Sequence, residues 1–235
     1  VDAIRITREG RPAQLFDMEG IALDGNGGFW IASEGRSDRL VPHAIYHVGA
    51  DGALEDYIAL PEALLAVERR FGFEGITRVG DMLYVAVQRE WRDDPANHSK
   101  VLGYNIETEE WSVIHYMKTE PSTGWVGLSE IVAHNDFMYF VERDNQHDAR
   151  AVTKLITRVP MSEMDRMVAL GEVPAVLEPE VVVDLIPYLT STGGYVLDKV
   201  EGLAIAPDGT MWVSTDNDGV DDHSGETMFF SVSAD

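Results

Sequence analysis

The segment VEGLAIAPDGTMWVSTDND, residues 200–218, is a near-copy of the earlier segment MEGIALDGNGGFWIASEG, residues 18–35. Two further copies lie between them, FEGITRVGDMLYVAVQRE at 73–90 and LSEIVAHNDFMYFVERDN at 128–145. The Glu-Gly or Ser-Glu dipeptides that open the copies follow one another at intervals of 55, 55 and 72 residues. Self-similarity at a recurring period is the sequence signature of a repeat architecture.

Each copy predicts a β-hairpin, because a short polar turn such as DGNGG or PDG separates two runs of β-branched and aromatic residues. Further extended stretches follow most copies, for example AIYHVGADGALEDYIAL at 44–60. A repeated antiparallel unit of about four strands indicates a β-propeller, whose blades pack against one another around a central channel. We therefore predict an all-β fold, a single β-propeller domain of four-stranded antiparallel blades over residues 1–235, with four repeats visible.

The repeats also predict the core and the insertions. The aromatic residues that recur inside the copies are expected between the blades; they are Trp30, Tyr84, Tyr139 and Trp212. Short helices are expected at 61–70 and 162–170, where helix formers dominate. The last repeat ends after three strands, so the N-terminal run VDAIRITRE could complete its blade. The alternative is that the chain is part of a longer propeller and lacks an N-terminal blade.

Composition limits the partners. The 235 residues include 18 basic and 41 acidic side chains, a formal net charge of −23. So acidic a surface repels phosphate backbones and anionic lipids, which argues against nucleic acid and membranes as partners and leaves a small-molecule substrate. The sequence has no cysteine, so thiolate metal sites and cysteine nucleophiles are excluded. No apolar run approaches the roughly 18 residues that a membrane helix needs.

Three of the four copies open and close with an acid. In a hairpin the start of the first strand and the end of the second lie side by side. The acids so paired are Glu19 with Glu34, Glu74 with Glu90, and Glu201 with Asp216. Because the first strand of each propeller blade is the innermost, these pairs should converge around one mouth of the channel, and we predict a ring of carboxylates there.

A ring of carboxylates persists only if its members are protonated, paired with cations or bound to a metal ion. We predict that all six acids bind a metal, and oxygen ligands without cysteine favour Ca²⁺, followed by Mg²⁺ or Mn²⁺. The counter-cations expected at the same mouth are Arg36, Arg78, Arg89 and Arg143. A structural interpretation remains open, in which each Glu-Gly places a carboxylate against backbone N–H groups and the glycine lets the blades pack closely.

The third copy departs from this pattern. Its dipeptide is Ser129-Glu130, so Glu130 occupies the position that glycine has in the other copies. At the far end Arg143 is in phase with Glu34 and Asp216. This blade is therefore expected to contribute a cation where the others contribute anions.

The order of the motifs, from D-M-E-G-I-A through G-F-E-G-I-T-R and V-E-R to V-S-T-D-N-D, resembles the phytase-like family named for esterase-like activity of phytase. The resemblance extends from about residue 17 to residue 219. It implies phosphoester hydrolysis, a secreted or periplasmic bacterial protein, and a parent propeller of five or six blades. An S-G-containing repeat that usually precedes the first Glu-Gly repeat in the family has no match here.

These observations predict a metal-dependent hydrolase of phosphoesters at the channel mouth. The chain has no G-x-S-x-G, H-E-x-x-H or P-loop motif, which leaves metal-assisted hydrolysis as the reaction class. The expected catalytic residues are Glu74 and Glu201 as the water-activating carboxylates, with Arg78 and Arg143 as clamps for the phosphate oxygens. The alternatives are a gluconolactonase-type lactonase or esterase, a non-catalytic propeller with calcium as a structural pin, and a truncated ring without a site.

Overall fold

A computed structural model describes residues 3–14, 16–35, 41–191, 193, 195–197, 199–216 and 227–233. A short hairpin comes first, β1 (Thr7–Arg8) with β2 (Arg11–Pro12). The first sheet follows in the order β3 (Met18–Leu23), β4 (Phe29–Ser33), β5 (Ala44–Val48) and β6 (Leu54–Ala59). Helix α1 (Glu62–Leu65) leads to the second sheet, β7 (Phe73–Val79), β8 (Met82–Val87), β9 (His98–Asn105) and β10 (Trp111–Met117).

The third sheet begins with β11 (Val126–His134), β12 (Phe137–Asp144) and β13 (Lys154–Pro160). The chain then returns to the second sheet, where β14 (Val168–Ala169) and β15 (Val176–Leu177) both pair with β10, before β16 (Glu180–Asp184) completes the third. After α2 (Ile186–Leu189), the fourth sheet consists of β17 (Val200–Ile205), β18 (Met211–Thr215) and β19 (Phe229–Val232). Two 3₁₀ helices span Asp148–Arg150 and Met161–Arg166.

The first strand of each sheet lies innermost, β3 against β7, β7 against β11 and β11 against β17. This arrangement is a four-bladed β-propeller, as the repeats predict. The blades are less uniform than expected, because the second sheet has six strands and the described part of the fourth has three. None of the described helices is long and apolar enough to cross a membrane.

Two local predictions are corrected. The N-terminal run forms its own hairpin, and the Thr7 N–H donates to the Gly52 carbonyl of the first blade (2.8 Å), so the described residues of this run do not complete the fourth blade. Of the predicted helices, 61–70 is α-helical only at Glu62–Leu65, and 162–170 is divided between a 3₁₀ helix and β14.

Apolar layers between neighbouring blades form the core. One layer joins the first and second blades, another the second and third, and another the third and fourth. Trp30, Tyr84 and Tyr139 are buried in these layers as predicted. Trp212 differs, since it is 39% exposed and stacks on Phe229 with 5.1 Å between the ring centroids.

Every inner strand has a β-bulge at its repeat dipeptide. The pairing register shifts between Met18 and Gly20, Phe73 and Ile76, Leu128 and Glu130, and Val200 and Gly202. A bulge leaves an unpaired residue and re-aims its side chain. The shared bulge therefore puts equivalent residues of all four blades, Glu19, Glu74, Ser129 and Glu201, at the same end of the ring.

Candidate functional site

Three carboxylates of the first blade meet at the channel mouth. Asp17, Glu19 and Glu34 each offer an oxygen atom within 4.8 Å of the other two. The Glu34 N–H donates to the Asp17 carbonyl (2.7 Å), and the Asp17 N–H donates to the Ser33 hydroxyl (3.1 Å). The two ends of the hairpin are thereby held together, as the antiparallel pairing of the repeat predicts.

Glu74 and Glu201 bring two more blades to this group. Glu74 is 3% exposed, and its Oε1 accepts a hydrogen bond from Gln88 Nε2 (2.6 Å). Burial raises the pKa of Glu74 well above its ordinary value, and repulsion from Glu19, Glu201 and Glu34 raises it further. Four carboxylates from three blades therefore influence one another at the mouth.

The pKa of Glu19 reports the same crowding. Glu19 is exposed as a residue, but its carboxyl group faces the other carboxylates, and loss of solvent there is the largest cause of a pKa raised to about 8. Repulsion from Glu201, Glu34 and Asp17 adds to the effect, whereas Lys199 opposes it. A neutral Glu19 at pH 7 follows, unless a cation offsets its neighbours.

Arg143 is the buried cation of the site, with 2% of its surface exposed. Its Nη2 donates to Glu201 Oε1 (2.5 Å) and its Nε donates to the Ser129 hydroxyl (2.9 Å). Ser129 occupies the bulge position at which the other blades have glutamate. The third blade thus contributes an arginine and a hydroxyl group, and the guanidinium offsets part of the negative charge of the ring.

A depression of about 620 Å³ opens between the first and fourth blades beside these residues. Carboxylates from both blades line it, including Glu19, Glu201 and Asp216, and Glu130 of the third blade also reaches it. Lys199 Nζ lies 3.6 Å from Asp216 Oδ2. The depression gives a small molecule access to the carboxylates.

Three sequence-predicted positions are corrected or fall outside the description. Arg78 lies at the turn end of β7, where its guanidinium donates to the carbonyls of Gly80 (2.8 Å) and Asp24. Three residues of extended strand separate it from Glu74, so it does not lie at the mouth. Glu90 does not contact Glu74; it forms an ion pair with Lys118 (3.0 Å), and Gln88 takes the place beside Glu74. Arg36 lies outside the described residues.

Sequence reasoning missed Asp17, Gln88 and Lys199. Asp17 stands two residues before Glu19, and residues two apart in a strand share a face, so the D-M-E spacing contains the signal. Gln88 stands two residues before Glu90 and is equally recoverable from the spacing. No repeated pattern marks Lys199.

Glu130 provides a test of burial at this end of the ring. Burial raises its pKa from 4.5 to about 8, although the N–H groups of Ile131 and Leu203 oppose the shift. The unfolded chain releases this proton near pH 4.5 and the folded chain near pH 8, so the stability contributed by the protonated group falls as pH rises between these values. Glu130→Gln should match the wild type at pH 5 and exceed its free energy of unfolding by about 1–3 kcal/mol at pH 9.

Urea denaturation of both proteins at the two pH values measures this difference. Glu107→Gln, at an exposed position, is the control, and its free energy of unfolding should equal that of the wild type at both pH values. A Glu130→Gln advantage that is equal at pH 5 and pH 9 would show that the carboxyl group does not titrate as the structure requires.

A family model matches most of the chain. Residues 1–219 match the family model Phytase-like, described as esterase-like activity of phytase. A search of curated proteins gives no match. Among solved structures, a GH43 endo-arabinanase from Bacillus licheniformis is similar at 10% sequence identity over 97% of this chain and 96% of that chain, with a TM-score of 0.33.

Proposed function

This chain belongs to the phytase-like family, and on that premise we propose that it is a metal-dependent hydrolase of phosphoesters with its active site at the channel mouth. The observation that carries the proposal is the cluster of Asp17, Glu19 and Glu34, whose oxygen atoms lie within 4.8 Å of one another. The proposal includes a small-molecule substrate and the secreted or periplasmic location that the sequence resemblance implies.

The donor set fits a hard divalent cation. Ca²⁺ takes about six to eight oxygen ligands in flexible geometry, whereas Mg²⁺ requires near-ideal octahedral geometry. Asp17, Glu19 and Glu34 would hold the ion, and Glu201 and Asp216 flank the same depression. A bound cation would supply positive charge that offsets the carboxylates and attracts the phosphate group of a substrate to a chain of net charge −23.

The residues of the chain have separable roles in this proposal. Glu74 is buried beside Gln88, and burial raises its pKa, which favours the protonated form that can donate to a leaving-group oxygen. Glu201 lines the depression and can accept a proton from water. The Arg143 guanidinium, next to Glu201, would bind phosphate oxygens in this proposal. Arg78 has no role at the mouth, since it lies at the opposite end of β7.

Calorimetric titration of Ca²⁺ into metal-stripped protein tests the metal, and hydrolysis of p-nitrophenyl phosphate tests the reaction. We expect Ca²⁺ to bind and to raise the melting temperature. The double variant Asp17→Asn/Glu34→Gln should show neither effect. Glu74→Gln should bind Ca²⁺ and lower kcat by about 10²–10⁴-fold, the range for loss of a general acid or base. Glu107→Gln is the matched control, and phosphatase activity that survives complete chelation would refute metal dependence.

A non-catalytic calcium-stabilised propeller is the second candidate. The ion pair between Arg143 and Glu201 favours this candidate. Arg143 already offsets part of the negative charge of the carboxylates, so a structural role is enough to explain its presence. Metal binding without hydrolysis of any phosphoester, lactone or carboxylic ester would support this candidate. Hydrolysis of lactones alone would instead identify a lactonase of the gluconolactonase type.

A further inference from the structure

Three arginines and two aromatic rings lie together beside the carboxylates. We call this the cation–aromatic cluster; its members are Arg70, Phe71, Arg89, Trp125 and Arg143. The two rings contact each other, with 5.6 Å between their centroids and 47° between their planes. The guanidinium carbon lies 5.1 Å from the Phe71 centroid for Arg70 and 4.9 Å for Arg89. The corresponding distances to Trp125 are 4.7 Å for Arg89 and 5.5 Å for Arg143. The Arg89 guanidinium thus contacts both rings, and Arg143 joins the cluster to the carboxylate site.

Phe71 holds a conformation that a bulky residue rarely adopts. Its φ of 68° lies in the left-handed region, which disfavours large side chains and persists only where the surroundings enforce it. Both sides of the residue are fixed: His43 Nε2 lies 3.0 Å from the Arg69 carbonyl, and the Gly72 N–H donates to Glu34 Oε1 (2.8 Å). The Arg89 N–H also donates to the Phe71 carbonyl (3.2 Å). The enforced backbone sets the ring against the guanidinium groups of both Arg70 and Arg89.

Arg70 and Arg89 of this cluster have N–H donors for which the described residues offer no acceptor. Arg143 donates to Glu201 and Ser129, but among the described residues neither Arg70 nor Arg89 donates a side-chain hydrogen bond, and the buried Arg89 Nε has no partner there. Burial lowers the pKa of Arg89, an effect that Glu90 opposes and Arg69 reinforces. The ion pair of Glu90 is with Lys118, at 3.0 Å.

Contact with aromatic rings restrains a guanidinium group and leaves its edge N–H groups available for hydrogen bonds. A planar fork of this kind matches the two oxygens of a phosphate or carboxylate group. We propose that Arg89, with Arg70 beside it, forms an oxyanion-binding site that holds an anionic group of the substrate next to the carboxylates. The role in substrate binding rests on the proposed function; the binding of an oxyanion does not.

Calorimetric titrations of sodium phosphate and sodium acetate at fixed ionic strength, into metal-free protein dialysed free of chelator, test the site. We expect saturable phosphate binding that Arg89→Met weakens about tenfold to hundredfold, since charge-assisted hydrogen bonds are lost. Arg89→Lys keeps the positive charge but lacks the planar fork of N–H groups, so its phosphate affinity should lie between those of the wild type and Arg89→Met. Arg158→Met is the matched control, because Arg158 also stacks on a ring, Phe137 at 4.1 Å, but is paired with Glu180 and should bind phosphate like the wild type.

Equal affinity for acetate would define a general oxyanion site, and preference for phosphate a phosphate site; both support the proposal. Absence of saturable binding to the wild type, or equal weakening by Arg158→Met, would overturn it. Unchanged Ca²⁺ affinity of Arg89→Met would show that the variant folds and that the carboxylates are intact.

Hydrolysis assays separate this proposal from the proposed function. If the enzyme hydrolyses phosphoesters, Arg89→Met should raise KM about tenfold or more and leave kcat nearly unchanged, because it removes binding and not chemistry. Metal-dependent hydrolysis with an unchanged KM and unchanged phosphate binding in the variant would overturn the oxyanion site alone. Phosphate binding that depends on Arg89 in a protein without hydrolase activity would overturn the proposed function alone.

Discussion

Replacing Arg143 with methionine is expected to lower the free energy of unfolding by about 3–5 kcal/mol, the cost of breaking a buried ion pair from one side. Arg143 is 2% exposed and donates to Glu201 and Ser129. Its charge also opposes the raised pKa of Glu74. Methionine retains apolar volume but leaves the carboxylates without their buried cation, so repulsion and desolvation act together.

Urea denaturation of Arg143→Met, Glu201→Gln and the double variant measures this coupling. The double variant should recover at least about 1 kcal/mol relative to the sum of the single changes, because groups in direct contact are not additive. Arg158→Met breaks an exposed pair with Glu180 and should cost less than about 1 kcal/mol. Additive effects of Arg143→Met and Glu201→Gln would refute the claim that the two side chains compensate each other.

Replacing Gly20 with alanine is expected to cost about 3 kcal/mol or more, at the upper end of what overpacking does. An added Cβ would lie 2.8 Å from the Ile76 nitrogen and 2.9 Å from the Gly75 carbonyl carbon, and closer still to the Glu74 carbonyl oxygen. These are backbone atoms of the next inner strand and cannot move aside as a side chain can. The first and second blades would have to separate.

Gly202→Ala is the matched control, since Gly202 has the same place in the fourth repeat. Its added Cβ would meet only the Ser214 side chain, whose hydroxyl can rotate, and we expect a cost below about 1 kcal/mol. Thermal unfolding of the two variants should therefore differ by roughly 4–8 °C or more for a chain of this length. Equal melting temperatures would mean that the inner strands are not packed as closely as the structure has them.

The repeats are enough to predict the propeller, because each of the four copies, with its matching acids and aromatic residues, predicts the same β-hairpin. Alternation and hairpin geometry also placed Glu19, Glu34, Glu74 and Glu201 at one end of the ring. The sequence also indicated that Arg143 would stand as a cation among anions. The glycine of the Glu-Gly dipeptide has the packing role that was held open, since Gly20 and Gly75 lie against the next inner strand.

The pairing of Glu74 with Glu90 is wrong for a reason that the sequence contains, since Gln88 follows Tyr84 by four residues as Glu34 follows Trp30, and Gln88 lies beside Glu74. Other features depend on contacts that a single sequence does not report. Arg78 is predicted at the mouth, but an extended strand carries it to the other end. The left-handed Phe71 follows from no residue preference, and the cation–aromatic cluster comes from four separate segments.

The seam between the first and fourth blades gives the ring an additional property. Apolar layers join the other neighbouring blades, but the described residues of this seam border a depression lined with acids from both sides. Glu19 and Glu201 repel each other across it. A cation bound between them would offset this repulsion and favour the approach of the first and fourth blades. If a metal ion binds there as proposed, amide hydrogen exchange of β3 and β17 should slow as the metal concentration rises.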